Sequence, residues 1–208
     1  IMLRTCVVCC LLLISFGLRA QKKLQRMILA QDISLIQVNS ANCFKIEMHT
    51  GQGNEVAIEA EIEGEYSQDL DLKVDVNGST ILIEAGFVPS FENPNDKLSA
   101  HKVISIMLKL TIPKNKNVEI YGTNSRVVID GTYKEVNVAL SDGVCQLNEV
   151  LGNVSVRTQS GSIGVLTKSA QIEANSKYGK VSLNLIPKGL PIYKLQTVTG
   201  NIELIKTE

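Results

Sequence analysis

A repeat of period 18 dominates the second half of this sequence. Five segments begin with a small residue and continue with two apolar residues two positions apart; they start at Ser125, Gly143, Gly161, Gly179 and Gly200. The last step is longer than the others because three extra residues lie in the stretch 187–191. A second set of alternating segments lies halfway between the first, with the same steps. A fixed short period is typical of repeat architectures and constrains the fold more than any other feature here.

Each repeat predicts two short strands and a corner. Side chains of a strand alternate between its faces, so the two apolar residues of a segment point the same way. One unit cannot bury this pair alone, and about three or more units must stack. Stacked strands lie about 4.8 Å apart, which makes five units roughly 24 Å long. The small residue fits a corner that needs either positive φ or a close backbone approach.

We therefore predict an all-β fold: a β-solenoid or β-helix-like stack of 18-residue, two-strand coils with an irregular β N-terminal half. An antiparallel sandwich with evenly spaced hairpins is the alternative.

The N-terminal half predicts less regular strands. Apolar and polar residues alternate at 33–38, 43–48, 56–62, 70–76, 81–85 and 103–112. A loop rich in Pro and Asn interrupts the pattern at 86–101. We expect residues 21–30 to be a leader, 21–112 to be an irregular β-rich part and 113–208 to be the regular repeat. The two parts are expected to form one continuous domain.

The first twenty residues predict a secretory signal peptide. Arg4 precedes an apolar run from Val7 to Leu18, and Ala20 offers a small residue for cleavage. The run is short for a membrane span, so a signal anchor is the weaker alternative. We expect an exported protein that is periplasmic, surface-bound or extracellular, starts near Gln21 and keeps no membrane span.

Two cysteines remain after residue 20, Cys43 and Cys145. Cys145 shares the inward column of Ile163 and Val181, where a free thiol behaves as a small buried hydrophobe. We expect both to be buried and unpaired; a disulfide joining the two halves is the alternative in an oxidising compartment.

Catalytic patterns are weak. His49 and His101 both lie outside the repeat, and the Gly-x-Ser-x-Gly and His-Glu-x-x-His motifs are missing. Glu119 and Glu173 share an outer face, but three coils would separate them by about 14 Å, too far for the carboxylate pair of a glycosidase. We predict no catalytic residues, no metal site and no cofactor.

The segments 154–163 (VSVRTQSGSI) and 195–204 (LQTVTGNIEL) carry a family resemblance. Strands of the form Gly-x-Ile/Val-x-Leu/Val after Ser-Gly or Thr-Gly turns resemble the bacterial "putative adhesin" family of β-strand-repeat proteins. The likeness covers about 105–206. It implies an extracytoplasmic β-solenoid-like fold, and it supplies no catalytic residues.

Binding is the favoured function class. Net charge is zero, which gives no electrostatic reason to bind nucleic acid. Phe87 and Phe91 could project from the 86–101 loop as apolar anchors or fold back as a cap. The polar outer faces of the coils suit a glycan or a protein. Because the chain has no Trp, sugar stacking would use a tyrosine. The candidates for that role are Tyr121, Tyr133 and Tyr178. Arg157, on the outer face of the half-way strands, is a further candidate binding residue.

The sequence thus predicts an exported, non-enzymatic adhesin or envelope-associated scaffold that binds an unknown protein or glycan surface. A carbohydrate-active lyase or hydrolase on a β-helix is the first alternative. A periplasmic sensory or stress-linked module is the second.

Overall fold

The computed structural model of the protein describes residues 21–64, 66–91, 104–183 and 185–208. The predicted signal peptide, His101 and most of the 86–101 loop lie outside the described residues. Within them the chain is all-β, with a single 3₁₀ turn at Ser67–Asp69. The strands are β1 (Lys22–Leu29), β2 (Leu35–Asn39), β3 (Lys45–Gly51), β4 (Glu55–Gly64), β5 (Leu70–Asn77), β6 (Thr80–Phe87), β7 (Ile104–Pro113), β8 (Asn117–Gly122), β9 (Arg126–Leu140), β10 (Val144–Thr158), β11 (Ile163–Thr167), β12 (Gln171–Ser176), β13 (Val181–Leu183), β14 (Ile192–Thr197) and β15 (Ile202–Lys206).

The fifteen strands of the described residues belong to one nearly closed, barrel-like sheet that forms two rows. The first row has the order β1-β4-β7-β3-β9-β10-β11-β15-β13. The second row has the order β5-β6-β2-β8-β9-β10-β14-β12. Each of the long strands β9 and β10 contributes its first half to the first row and its second half to the second.

Glycines at the middle of the two long strands let the sheet turn from one row to the other. Gly131 has φ 108° and Gly152 has φ 127°, backbone angles that residues other than glycine rarely adopt. A Cβ on Gly152 would also lie 2.2 Å from the carbonyl oxygen of Tyr133. Two separate strands in the sequence pattern are therefore one bent strand in the structure.

The repeat sets the register between neighbouring coils. Cys145 pairs in parallel with Val127 on one side and with Ile163 on the other, one full repeat away in each direction. In the second row Val154 pairs with Val136 with the same offset. The predicted alignment of these three repeats is confirmed.

The stack of five coils in chain order is not found, because the last two coils exchange places. Strand β11 pairs with β15, and β13 lies beyond β15. In the second row β10 likewise pairs with β14, and β12 lies beyond β14. The longer connection through residues 187–191 carries the chain back by one level. Residues near Leu204 therefore lie inside the stack, between β11 and β13.

The corner column explains the repeated glycine by close backbone approach. A Cβ on Gly161 would lie 1.6 Å from the carbonyl oxygen of Gly143. A Cβ on Gly200 would lie 2.1 Å from that of Gly161, and one on Gly179 would lie 2.0 Å from that of Gly200. The contacts follow the exchanged order of the coils. At the start of the column Ser125 is tolerated, since its hydroxyl is buried and donates to backbone carbonyls of the preceding turn.

The core lies between the two rows, and the side chains at every second position of the strands point into it. Tyr193 is its bulkiest fully buried side chain, and its hydroxyl donates to the carbonyl of Val150. Cys43 and Cys145 are buried and unpaired, as predicted. Burial raises the pKa of both thiols to about 12.

The N-terminal half confirms the six predicted strands, with boundaries shifted by a few positions at most. It corrects the leader: residues 22–29 form the edge strand β1, antiparallel to β4. Lys22 lies on the side of β1 that faces the core. Its ammonium group donates to the carbonyl of Leu70 on β5 at 2.6 Å and so connects the two rows at this end of the sheet. An inward charge on an edge strand also discourages pairing with another chain.

Candidate functional site

The outer face of the second row carries two of the predicted site residues side by side. Tyr121, Ala139 and Arg157 occupy matching positions on β8, β9 and β10, each one repeat after the last. Neighbouring strands lie about 4.8 Å apart, so Tyr121 and Arg157 stand about 10 Å apart across the small Ala139. The result is a notch with an aromatic ring on one side and a guanidinium group on the other.

This notch belongs to a shallow depression of about 250 Å³. Glu119, Asn137 and Ser155 line its other half, two positions earlier on the same three strands. A second depression of about 250 Å³ continues from Ser155 toward the starts of the strands, where Asn153, Ile192 and Lys194 line it. We call the two depressions together the polar groove; it is lined by Glu119, Ile120, Tyr121, Glu135, Asn137, Val138, Ala139, Asn153, Val154, Ser155, Arg157, Ile192 and Lys194.

The acidic side chains of the polar groove are held by amides. Gln37 donates to the Glu119 carboxylate at 2.7 Å, and Asn137 donates to the Glu135 carboxylate at 3.1 Å. Each bond uses part of the hydrogen-bonding capacity of the carboxylate but leaves its negative charge in place. The floor of the groove is thus a row of polar groups on rigid paired strands.

The basic side chains of the polar groove have no carboxylate partner among the described residues. Arg157 and Lys194 are both exposed, and neither forms an ion pair within 4 Å in this part of the chain. Lys194 is in register with Ser155, so the two cations lie on neighbouring strands, offset by two positions. That diagonal corresponds to about 8 Å between the two Cα positions.

Phe87 and Phe91 lie elsewhere. Phe87 is at the end of β6, where 39% of its surface is exposed. Its ring stacks on that of Phe91 with centroids 4.1 Å apart, and Phe91 meets Tyr66 edge-on at 5.6 Å. The three rings form one aromatic cluster at the N-terminal end of the sheet, apart from Tyr121 and Arg157.

The other two candidate tyrosines differ sharply in exposure. Tyr133 is 2% exposed, and its hydroxyl donates to the backbone carbonyl of Asp130 at 2.8 Å. It is a core residue, and the expectation that it offers its ring to a sugar is wrong. Tyr178 is 71% exposed at the corner after β12, where Lys177 lies over its ring.

The exchanged coils also change the carboxylate spacing. Glu119 and Glu173 are four strands apart instead of three, which is about 19 Å and further from a glycosidase pair than predicted. Lys194 lies between Ser155 and Glu173.

One pairing was missed by the sequence analysis. His49 on β3 and Asp130 on β9 form a hydrogen bond on the outer face of the first row. Both side chains are well exposed, 46% and 39%. Thr111 on β7 lies in register with His49 on its other side. The long separation of His49 and Asp130 along the sequence gave no local signal for this pair.

Two lysines on the neighbouring strands engage Glu61 on the outer face of β4. Glu61 accepts hydrogen bonds from Lys109 at 3.1 Å and from Lys23 at 3.2 Å. These two bonds, with Lys109 the stronger, lower the pKa of the Glu61 carboxyl. Two ammonium groups thus compensate this one carboxylate.

Within the described residues no three His, Cys, Asp or Glu side chains come together as metal ligands. No helix in this part of the chain is long and apolar enough to span a bilayer.

The fold is shared with a solved structure of a protein named for cell adhesion. This putative cell adhesion protein from Clostridium sporogenes aligns with 90% of the chain and 100% of its own, at a TM-score of 0.64 and 14% identity. A putative adhesin from Bacteroides fragilis aligns more loosely, with 89% of this chain and 98% of its own, at a TM-score of 0.40 and 15% identity. The resemblance predicted from the sequence is confirmed. The sequence matches no protein-family model and no curated protein.

Proposed function

We propose that this chain is an exported, non-enzymatic, adhesin-like protein that acts in the cell envelope or outside the cell and binds a glycan in the polar groove. The observation that carries the proposal is the notch formed by Tyr121, Ala139 and Arg157. The exposed ring of Tyr121 beside the small Ala139 offers a surface on which a sugar ring can stack, and the polar groups around it offer hydrogen bonds.

The chemistry of the polar groove favours a glycan over a protein partner. Protein interfaces usually centre on buried apolar or aromatic anchors. Here the floor alternates amide, hydroxyl and carboxylate groups with a single aromatic ring. Sugar hydroxyls pair with such groups, and the apolar face of a sugar ring packs on an aromatic side chain. The groove crosses β8, β9, β10 and β14, which suits an extended chain.

The enzyme alternative has less support. Hydrolysis of a glycosidic bond by the usual route needs two carboxyl groups about 5–10 Å apart. In the polar groove Glu119 and Glu135 lie on neighbouring strands, but both lie on the same side of the notch, two positions before Tyr121 and four before Ala139. Each also accepts a hydrogen bond from an amide. We infer a site that holds its ligand without cleaving it.

We further propose that the parts 21–112 and 113–208 form one continuous domain. Strand β2 pairs with β8, and β3 pairs with β9, in the same parallel sense as the repeats. The early strands therefore continue the repeated surface.

A binding experiment tests the proposed function. Full-length protein would be screened against immobilised neutral and acidic oligosaccharides, with Tyr121→Ala beside it. Loss of one stacked ring should weaken binding by about 2- to 13-fold, since aromatic contacts contribute about 0.5–1.5 kcal/mol beyond their buried area and 1.4 kcal/mol corresponds to a factor of ten. Tyr178→Ala is the matched control, because Tyr178 is more exposed and lies beyond β12, four strands along the row. Equal weakening by both variants, or no binding by the unaltered protein, would count against the polar groove.

A further inference from the structure

We propose that the ligand of the polar groove carries an anionic group, as an acidic sugar does, and that Arg157 and Lys194 bind it. This inference rests on the proposed function and adds the class of ligand.

The exchange of the last two coils creates the cationic half of the groove. In chain order the strand after β10 would be β12, which would bring Glu173 beside Ser155. In the structure β14 occupies that level, and Lys194 lies in register with Ser155 instead. A carboxylate is thereby replaced by an ammonium group next to Arg157, and Glu173 is moved one strand further away.

The two cations are available to a ligand. Both side chains are exposed, and the acids that line the groove, Glu119 and Glu135, are engaged by Gln37 and Asn137. Glu173 is in register with Lys194, yet the described chain contains no ion pair within 4 Å between them. Two unneutralised cations about 8 Å apart can share one anion placed between them.

Arginine suits a planar anion best. Its guanidinium presents a rigid fork of donors that can meet both oxygens of a carboxylate, and such charge-assisted bonds are about twice as strong as neutral ones. Tyr121 stands two strands away, about 10 Å, across Ala139. A sugar ring fits over Ala139 with its face toward Tyr121 and its carboxylate toward Arg157.

The test compares acidic and neutral forms of the same sugar by calorimetry on the full chain. The probes are 3′-sialyllactose against lactose, and trigalacturonate against its methyl ester. The first pair represents a terminal acidic residue and the second an acidic polymer, so the preferred pair identifies the source. We expect the acidic member of one pair to bind at least tenfold more tightly, with affinity falling as salt is raised.

Variants assign the effect to the two cations. Arg157→Gln should weaken binding of the acidic probe about tenfold, while Arg157→Lys, which keeps the charge but loses the fork, should weaken it less. Lys194→Gln should act in the same direction. Lys180→Gln is the matched control, because Lys180 is exposed at the start of β13 in the other row. It should leave affinity unchanged.

The outcomes separate the two proposals. Equal binding of acidic and neutral probes would overturn the anionic ligand and leave glycan binding standing. If the protein prefers the acidic probe but Arg157→Gln and Lys194→Gln leave its affinity for that probe unchanged, the assignment to these residues would be overturned. No binding of either pair, nor of any other oligosaccharide, would overturn both.

Discussion

Gly161 is the position where a single methyl group should disturb the stack most. Its missing Cβ would lie 1.6 Å from the carbonyl oxygen of Gly143, so two paired backbones would have to separate by roughly 2 Å to restore ordinary contact. Overpacking of this kind typically costs about 1–3 kcal/mol. The separation would also weaken the bonds from Cys145 N to Ser162 O and from Ser160 N to Ser141 O, which join the same two levels and are each worth about 1 kcal/mol net. Together these effects predict a loss of about 3–5 kcal/mol in the free energy of unfolding for Gly161→Ala.

Thermal unfolding followed by circular dichroism measures this loss. For a chain of this size each kcal/mol lowers Tm by about 2–4 °C, so we expect a decrease of roughly 6–20 °C. Gly53→Ala is the control, since the nearest atom to its added Cβ is 3.9 Å away and no clash arises. If Gly161→Ala melts within about 2 °C of both the unaltered protein and Gly53→Ala, the close approach of the corner backbones is refuted.

The remaining predictions concern the order of the coils and the two thiols. In a variant with cysteine at positions 155 and 194, a short linker with two thiol-reactive ends should join the two cysteines. In a variant with cysteine at positions 155 and 173 it should not, because β14 lies between the two strands. The reverse result would show that the coils stack in chain order. Burial raises the pKa of Cys43 and Cys145 to about 12, so at pH 8 only about one thiol in ten thousand is ionised. Ellman's reagent should therefore detect neither thiol in the native protein and both in guanidinium chloride, and rapid reaction of the native protein would contradict their burial.

The strands could be predicted from the sequence because burial imposes period 2 wherever one face meets the core. The same alternation gave the offset of one repeat that places Tyr121, Ala139 and Arg157 in one row. Strand β1 was missed because its inward positions include Lys22 and Arg26, which break the apolar pattern at an edge. An edge strand is covered on one side only, so its sequence is less constrained than that of a central strand.

The exchange of the last two coils could not be predicted from the apolar pattern. The inward residues of the competing strands, Val181 and Ile202, are both β-branched and fit equally well beside Ile163. The choice depends on the connection through 187–191, whose three extra residues signalled a difference without giving its direction. The cationic half of the polar groove depends on that choice, so Lys194 could not have been paired with Arg157 in advance.

The exchanged coils also have a consequence for how the chain reaches its native state. Within the described residues β12 pairs only with β14, and β13 only with β15. From β8 to β11, each new strand can pair with a strand that precedes it in the chain. The next two strands, β12 and β13, have no neighbour in the sheet until β14 and β15 have formed. Strands β14 and β15 thus join β12 and β13 to the rest of the sheet, so these four strands depend on one another for their places in the fold.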